Sequence, residues 1–316
     1  MRKFISKFSI FFIISLVFAT ILDFVLCRGL LQMEDYRFQD YAAMLKGGME
    51  HDVLIMGNSR GKSHFNPAVI DTMCYVSSFC IGVGGYPINT QVAKYHIYRA
   101  HNKKPRLIVQ NVDFMTLGFF EDVRHQHQSE QFLPLVYDST GRRELKGQGY
   151  SFFDLNIPLY RFFGYQQVIK NGLLEVLHLK HYVSRPAYKG HRPEEGSWNG
   201  SELERMEIHP VTLSEKGKAC FEAFLRDCQK DSVKVVLVQS PMYVGVKDRI
   251  TGLDAVRTYF EDVSNQYGCI YLDYVDDYPL SLDTANFCVS VHMNAYATDI
   301  FTKDFCKDLL SLRLLD

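Results

Sequence analysis

A serine and a histidine near opposite ends of the chain each adjoin a segment that predicts regular structure. Ser59 follows the short apolar run 53–57 and Asn58, and His292 comes just before the last predicted helix. A serine exposed at the end of a buried strand attacks an acyl carbon when a histidine accepts its proton. These residue types therefore predict nucleophilic acyl chemistry, provided that the fold brings the two side chains together.

The elements that must position these side chains are short apolar runs that alternate with helical segments. The runs that predict buried strands are 53–57, 75–85, 107–114, 233–241 and 269–274. Helices are predicted over 67–73, 90–100 and 252–266, and after Asn294, where one helix face presents Ala297, Ile300, Phe301, Phe305 and Leu309. This alternation is typical of an α/β fold with a parallel sheet, in which ligands bind at the carboxyl ends of the strands.

The segment 115–230 breaks this rhythm between the third and fourth strands and is rich in aromatic residues. We expect it to be an inserted cap region within one domain that spans residues 51–316. Aromatic side chains in such a region stack on sugar rings or pack in a core, and core packing is the more common role. Trp198 is the exception, because it lies in a polar stretch, and it is a candidate for substrate binding.

The N-terminus combines a basic leader with an apolar run. The leader MRKFISK precedes residues 8–22, which carry no charge, and the apolar character resumes after Asp23. Residues 8–27 approach the ~20 residues that a bilayer core requires, so we predict an uncleaved transmembrane signal-anchor within residues 1–28. Residues 29–50 are then a juxtamembrane linker or helix. The alternative is a cleaved signal peptide, and either interpretation puts the remainder outside the cytoplasmic membrane.

The composition excludes several classes of protein. The chain has 316 residues, with 35 Lys and Arg against 36 Asp and Glu, which gives a formal net charge of −1. Because phosphate binding requires clustered Lys and Arg, and no basic block is present, nucleic acid is excluded as the main partner. The eight cysteines include no C-x-x-C pair, which argues against zinc-finger, thioredoxin and disulfide-rich folds and predicts buried small residues.

The order of these features resembles the SGNH/GDSL-type hydrolase superfamily. The motifs that carry the resemblance are G-N-S (57–59) after the first strand and V-H-M-N (291–294) before the last helix. It covers residues 50–114 and 230–312, and it is nearest to the membrane-anchored branch associated with acyl modification of bacterial exopolysaccharides. The resemblance implies a flavodoxin-like parallel sheet flanked by helices, with no metal or organic cofactor.

The resemblance also implies roles for individual residues. Ser59 matches the nucleophile and His292 matches the general base. Gly85 matches the glycine whose amide, together with the amide of Ser59, holds the oxyanion. Asn111 is the best match for a third oxyanion donor, and Asp113 is a competing match.

One position departs from the family pattern. An Asp normally precedes the histidine by three residues and orients its ring, whereas this chain has Val289 there. In serine proteases, loss of the Asp–His pairing lowers kcat about 10⁴-fold. Asp277 and Asp283 lie upstream, and one of them would have to reach His292 to replace the missing group.

Further polar residues near these motifs are candidates for substrate binding. Arg60, next to the nucleophile, suits an acyl donor or a sugar acid, and a surface salt bridge is the alternative. His64 either faces the site or belongs to the turn that starts a helix. Asp113 follows the third strand and is a candidate as well.

We therefore expect a serine-dependent O-acyl esterase or O-acyltransferase that acts on a cell-surface or exported glycan. We place the chain in the bacterial inner membrane as a single-pass protein, with its main domain in the periplasm and a membrane acyltransferase as a candidate partner. The alternative, favoured by Val289, is a catalytically degenerate protein that binds glycan or a partner protein in an export or modification complex. Asp23, an acidic residue in an apolar span, indicates a third interpretation, a subunit whose helix contacts another helix in the membrane.

Overall fold

The computed structural model describes residues 1–184, 187–211, 213–276 and 278–315. The chain forms two compact units. One unit consists of Met1–Lys46 and Glu121–Pro186, and the other, called here the sheet unit, consists of Gly47–Phe120 and Ala187–Asp316. This division differs from the predicted insertion over 115–230, because residues 187–230 belong to the sheet unit.

The helices and strands of the described residues are as follows. The α-helices are α1 (Arg2–Gln32), α2 (Gln39–Lys46), α3 (Ser59–Ser63), α4 (Pro67–Cys74), α5 (Ile88–His101), α6 (Ser139–Gly147), α7 (Phe152–Asn156), α8 (Gln166–Val176), α9 (Glu215–Lys230), α10 (Leu253–Tyr267) and α11 (Ala295–Ser311). The main-sheet strands are β1 (Val53–Met56), β2 (Ser78–Cys80), β3 (Leu107–Asn111), β4 (Lys234–Gln239) and β5 (Ile270–Asp273). Short strands pair Glu34–Asp35 with Val183–Ser184, His209–Pro210 with Ile250–Thr251, and Phe287–Val289 with His292–Met293. The 3₁₀ helices are Ser129–Tyr137, Tyr160–Phe162, Leu203–Arg205, Val244–Arg249, Pro279–Leu282 and Thr284–Asn286.

The core of the sheet unit is a parallel sheet of five strands in the order β2-β1-β3-β4-β5. In β1, Val53 pairs with Ser78 on one side and with Leu107 on the other. All residues of β1 and β3 are buried, as expected for strands covered on both faces. The predicted flavodoxin-like α/β fold is confirmed, and β1 ends where the sheet order reverses, the usual position of a ligand site.

The final helix, α11, has the predicted N-cap residue, Asn294. The Asn294 side chain accepts a hydrogen bond from the N–H of Ala297 at 3.0 Å. The helix packs on α4, and Phe65 meets Phe301 edge-to-face with ring centroids 5.4 Å apart. Four of the five residues predicted on its inner face are buried, and Ile300 is only half-buried. The end of the chain is therefore fastened to the segment that follows the nucleophile turn.

The helix α9 explains why the sheet unit includes residues that precede β4 in the sequence. It buries Phe221, Phe224 and Leu225 and packs against α5 and β4. A parallel strand requires a crossover connection of a dozen or more residues, usually a helix, before it joins the sheet. Residues that the sequence analysis assigned to the insertion thus supply the crossover to β4.

The other unit contains the N-terminal helix. Within the described residues, α1 is the helix long and apolar enough to cross a membrane by length and composition. It extends beyond the predicted span of 8–27, and its last turns bury Leu26 and Leu30. The segment 29–50 contains helix, since α1 continues to Gln32 and α2 buries Tyr41 and Met44. These buried side chains fix the segment within the unit.

Asp23 lies at the centre of a buried polar cluster within the same unit. Arg161 donates to its carboxylate from Nη1 at 2.9 Å, and both side chains are almost fully buried. The Tyr137 hydroxyl and the N–H of Leu159 donate to the same carboxylate at 2.7 and 2.6 Å. The charge of Asp23 is therefore compensated within the chain, and this compensation requires no partner helix.

Candidate active site

The turn after β1 presents Ser59 at the first position of α3. The Asn58 side chain caps α3 by accepting a hydrogen bond from the N–H of Arg60 at 3.0 Å. Gly57 has a φ of +141°, and an added Cβ would lie 2.8 Å from the Cβ of Asn111 and 3.0 Å from the Cα of Gly61. Because only a glycine fits this space, the strand can turn sharply and leave the serine at its carboxyl end.

Ser59 and His292 lie together although they are far apart in sequence. The Oγ of Ser59 is 2.7 Å from the Nε2 of His292. Burial, and secondarily the positive charges of Arg60 and Arg192, lower the pKa of His292 to about 4. The imidazole is therefore neutral near pH 7, and its Nε2 is placed to accept the serine proton. The predicted meeting of these two side chains is what the structure shows.

The other face of His292 lacks the usual acidic partner. No described carboxylate hydrogen-bonds to this ring, and Val289 pairs with His292 across the short hairpin instead. The side chain of Asp283 accepts a hydrogen bond from the N–H of Ala285 and does not orient the histidine. Asp277 lies outside the described residues. The geometry in hand is thus a serine–histidine dyad.

His64 supports the dyad from the interior and does not contact solvent. It is fully buried, its Nδ1 is 2.9 Å from the Oγ of Ser240, and its Nε2 accepts the N–H of Met293 at 3.1 Å. Burial lowers the pKa of His64 well below its ordinary value, so the ring is neutral and carries its proton on Nδ1. Because Met293 follows His292, His64 is a positioning residue, and its predicted contact with substrate is corrected.

Arg60 and Asp113 form an internal polar cluster with Asn58. The Asn58 amide donates to Asp113 at 2.8 Å, and the Arg60 guanidinium lies 3.7 Å from the same carboxylate. Arg60 also donates to the carbonyl oxygens of Ser240 and Pro241. Arg60 and Asp113 are only 2% and 1% exposed, so their predicted contact with substrate is corrected. Their role in the structure is to hold the nucleophile turn against the end of β4.

The loop after β2 passes beside Ser59. The N–H of Val83 donates to the carbonyl of Gly57 at 2.8 Å, which fixes the loop to the nucleophile turn. A Cβ on Gly84 would lie 3.7 Å from the Cβ of Ser59, and Gly85 is exposed with open space around it at a φ of +80°. Gly84 therefore lies against Ser59, and the next residue, Gly85, whose amide is the second predicted oxyanion donor, faces open space.

The third predicted oxyanion donor is not at the surface of the site. Asn111 is fully buried, and neither polar atom of its side chain has a hydrogen-bond partner among the described residues. Its Cβ lies against Gly57 and Gly61, where β3 passes behind the nucleophile turn. The prediction that the Asn111 amide contacts a substrate oxygen is therefore corrected.

Trp198 is a core residue and does not form an exposed stacking surface. It is 7% exposed, and its ring meets that of Tyr243 edge-to-face with centroids 5.4 Å apart. Its backbone N–H donates to the carbonyl of Phe287 at 2.7 Å, next to the hairpin that carries His292. The predicted role in substrate binding is corrected, because the ring has almost no surface for a sugar to contact.

A short segment around residues 192–194, which lies within the predicted insertion, adjoins the site. The N–H of Arg192 donates to the carbonyl of Lys62, and the N–H of Ala295 donates to the carbonyl of Glu194. Arg192 and Glu194 also form an ion pair. This segment connects the end of α3 to the start of α11 and brings a positive charge near His292. No motif in the sequence indicates that connection, which depends on tertiary structure alone.

The chain can be compared with known proteins by sequence and by structure. No protein-family profile and no curated protein matches it. Among solved structures, a candidate acylhydrolase from Bacteroides fragilis is similar over 86% of this chain and 94% of its own, with 10% identity and a TM-score of 0.38. A likeness of this extent defines no family. Among the described residues, no group of three or more His, Cys, Asp or Glu side chains is placed to hold a metal ion.

Proposed function

We propose that this protein is a serine-dependent acyl hydrolase or acyltransferase. The observation that supports it is the 2.7 Å contact between the Ser59 hydroxyl and a neutral His292, at the carboxyl end of a central strand. Ser59 Oγ attacks the ester carbonyl while His292 Nε2 takes its proton. The amides of Ser59 and Gly85 stabilise the oxyanion, and the imidazolium then protonates the departing alcohol. Water completes ester hydrolysis, whereas a sugar hydroxyl completes acyl transfer.

The environment of His292 predicts a slow reaction. Its imidazolium forms near Arg60 and Arg192, and among the described residues no carboxylate is hydrogen-bonded to the ring to offset the new charge. Removal of such a carboxylate from a serine protease lowers kcat about 10⁴-fold. We therefore expect turnover of activated esters and sustained acyl-enzyme formation more readily than rapid hydrolysis of unactivated esters.

The substrate we propose is an O-acylated glycan outside the cytoplasm. The resemblance of the G-N-S and V-H-M-N motifs to exopolysaccharide-modifying SGNH proteins supports this class of substrate. The apolar helix α1 follows a basic leader, which favours a bacterial inner-membrane anchor with the sheet unit in the periplasm. In this proposal a membrane acyltransferase supplies acyl groups or uses the same glycan.

The test is covalent labelling of the full-length protein in detergent with a fluorophosphonate. The full chain is required because Asp23, Leu26 and Leu30 are buried in its N-terminal unit. We expect labelling that is lost in Ser59→Ala and strongly reduced in His292→Ala. Ser290→Ala is the matched control, since this serine lies two residues from His292 and should leave labelling unchanged. Labelling that persists in Ser59→Ala contradicts the proposal.

The second candidate function is glycan or partner binding without catalysis. The observation that favours it is the absence of a hydrogen-bonded carboxylate on His292 among the described residues. A folded wild-type protein that resists labelling, yet binds an exported glycan equally well as wild type and as Ser59→Ala, would favour this candidate.

A further inference from the structure

An apolar cavity of about 650 Å³ lies beside α1, in the unit formed by Met1–Lys46 and Glu121–Pro186. This volume is in the range of ligand-binding pockets. The lining residues are Leu22, Leu26, Arg124, Ile157, Pro158, Leu159, Tyr160, Phe162, Phe163, Gly164, Gln166 and Ile169. The guanidinium of Arg124 is already paired with Asp154 at 2.7 Å and lies over the Tyr160 ring. The cavity therefore offers an apolar ligand a large contact surface and offers a charged ligand little.

The rim of the cavity is continuous with the exposed apolar surface of α1. Phe163 is 84% exposed at the rim, and Ile157 and Tyr160 are also exposed. Along α1, large apolar side chains are exposed from Phe4 to Phe24. Exposure of so much apolar surface to water would be unfavourable in free energy. Aromatic rings of this kind concentrate where a bilayer meets water.

The buried cluster around Asp23 sets the depth of the cavity relative to α1. The N–H of Leu159 and the guanidinium of Arg161 both bond to Asp23, near the end of the exposed apolar stretch. The cavity segment is thus fastened to the part of α1 that leaves the bilayer if the helix spans it. An occupant that enters from the apolar side comes from the hydrocarbon region.

We propose that this cavity binds one acyl chain of a phospholipid from the outer leaflet of the membrane that α1 crosses. The polarity of the lining and its continuity with α1 favour a lipid chain over a water-soluble ligand. The proposal depends on α1 as a membrane anchor and is independent of the chemistry of Ser59 and His292. Bound lipid would join the unit to the bilayer at a second place besides the helix.

The test uses the full-length protein in nanodiscs of phosphatidylethanolamine and phosphatidylglycerol. The nanodiscs contain a phospholipid with a diazirine at the end of one acyl chain, and peptide mass spectrometry locates the adducts after irradiation. We expect adducts on residues 157–169 and 22–26. A phospholipid with the diazirine on its headgroup should label the cavity-lining residues of these stretches much less than the acyl-chain probe does.

Two adjacent positions of α8 provide a matched pair of variants. Gln166 lines the cavity and is exposed, whereas Gln167 is exposed beside it and does not line the cavity. Gln166→Trp should lower the adduct yield about fivefold, because an indole occupies space that the chain needs, and Gln167→Trp should not change it. Equal yields in the two variants, adducts confined to α1 outside the cavity, or a crosslinked protein dimer without lipid adducts would each overturn the proposal.

Discussion

Burial and charge act in the same direction on His292, and this decides what the dyad can do. Both the loss of solvent and the charges of Arg60 and Arg192 disfavour the imidazolium. The histidine is consequently always available as a base near pH 7, but it is a weak one and its protonated form is unstable. A base of this kind accepts the serine proton only as bond formation to the acyl carbon proceeds.

This environment predicts an unusual pH dependence for labelling of Ser59. Because the pKa of His292 is lowered to about 4, the neutral base persists as the pH falls and is lost only near that value. The second-order rate constant for fluorophosphonate labelling should change by less than about twofold between pH 7 and pH 5, whereas a histidine of ordinary pKa would lose about thirtyfold. Circular dichroism at each pH verifies that the protein is folded. An acidic limb centred near pH 6.5 would show that His292 is more solvated or better paired than the structure indicates.

At the scale of elements, the turn between β1 and α3 holds the nucleophile through close backbone contacts. Gly57 combines a positive φ with contact to Asn111 and Gly61. Gly57→Ala should destabilise the sheet unit by about 3 kcal/mol or more, because it adds both backbone strain and a steric clash. Urea unfolding followed by the fluorescence of Trp198, the single tryptophan, measures this change.

Gly268→Ala is the matched control for that substitution. Gly268 has a φ of +64°, but open space surrounds the position where its Cβ would be placed. Gly268→Ala should lower the free energy of unfolding by about 1 kcal/mol, because it adds backbone strain without a steric clash. Similar losses in the two variants would mean that the clash at Gly57 is relieved by small shifts.

The sequence predicts those helices and strands whose residue pattern lies within one short stretch of the chain. The strands β1, β3 and β4 contain continuous apolar runs, Ser59 follows the end of β1, and His292 lies just before the last helix. Burial of His64 and Arg60 could not be read from residue type, because it depends on distant partners, Ser240 for His64 and Asp113 for Arg60. Asn111 is buried without a side-chain hydrogen-bond partner among the described residues, and no pattern in the sequence indicates this. The segment 187–230 was likewise misassigned, since its link to the sheet is made by tertiary contacts.

The contact between α1 and the rest of its unit can also be tested at the scale of elements, through the buried pair of Asp23 and Arg161. Asp23→Asn removes the charge that compensates Arg161, and breaking a buried pair typically costs about 3–5 kcal/mol. We expect faster proteolysis within residues 121–186 of the full-length protein in detergent. Thr20→Val is the control, since this exposed hydroxyl bonds only to Leu16 of its own helix. Unchanged proteolysis together with loss of a co-purifying protein would instead support a contact between Asp23 and a partner helix.

At the scale of the whole molecule, three imidazoles connect the site to acid stability: His64 and His191 are buried, and His292 is half-buried. Burial lowers the pKa of His64, and it lowers the pKa values of His191 and His292 to about 4. The unfolded chain binds protons at these positions near its ordinary histidine pKa of about 6.5, whereas the folded chain does not. The stability they support is therefore complete above that value and is lost as the pH falls towards 4.

Between about pH 6.5 and pH 4, each such imidazole should make the free energy of unfolding fall by up to about 1.4 kcal/mol per pH unit as the pH falls. Urea midpoints from pH 7.5 to pH 5 should fall steeply in the wild type and less steeply in His191→Gln, which removes one titrating group beside the carbonyl of Lys62. His125→Gln, at a 73% exposed side chain, should reproduce the wild-type slope. If His191→Gln keeps the wild-type slope, then acid unfolds the protein through its carboxylates, and the histidines around Ser59 titrate without resisting protonation. The slope of His191→Gln thus tests whether burial in the sheet unit holds an imidazole neutral, the same effect that lowers the pKa of His292 in the proposed dyad.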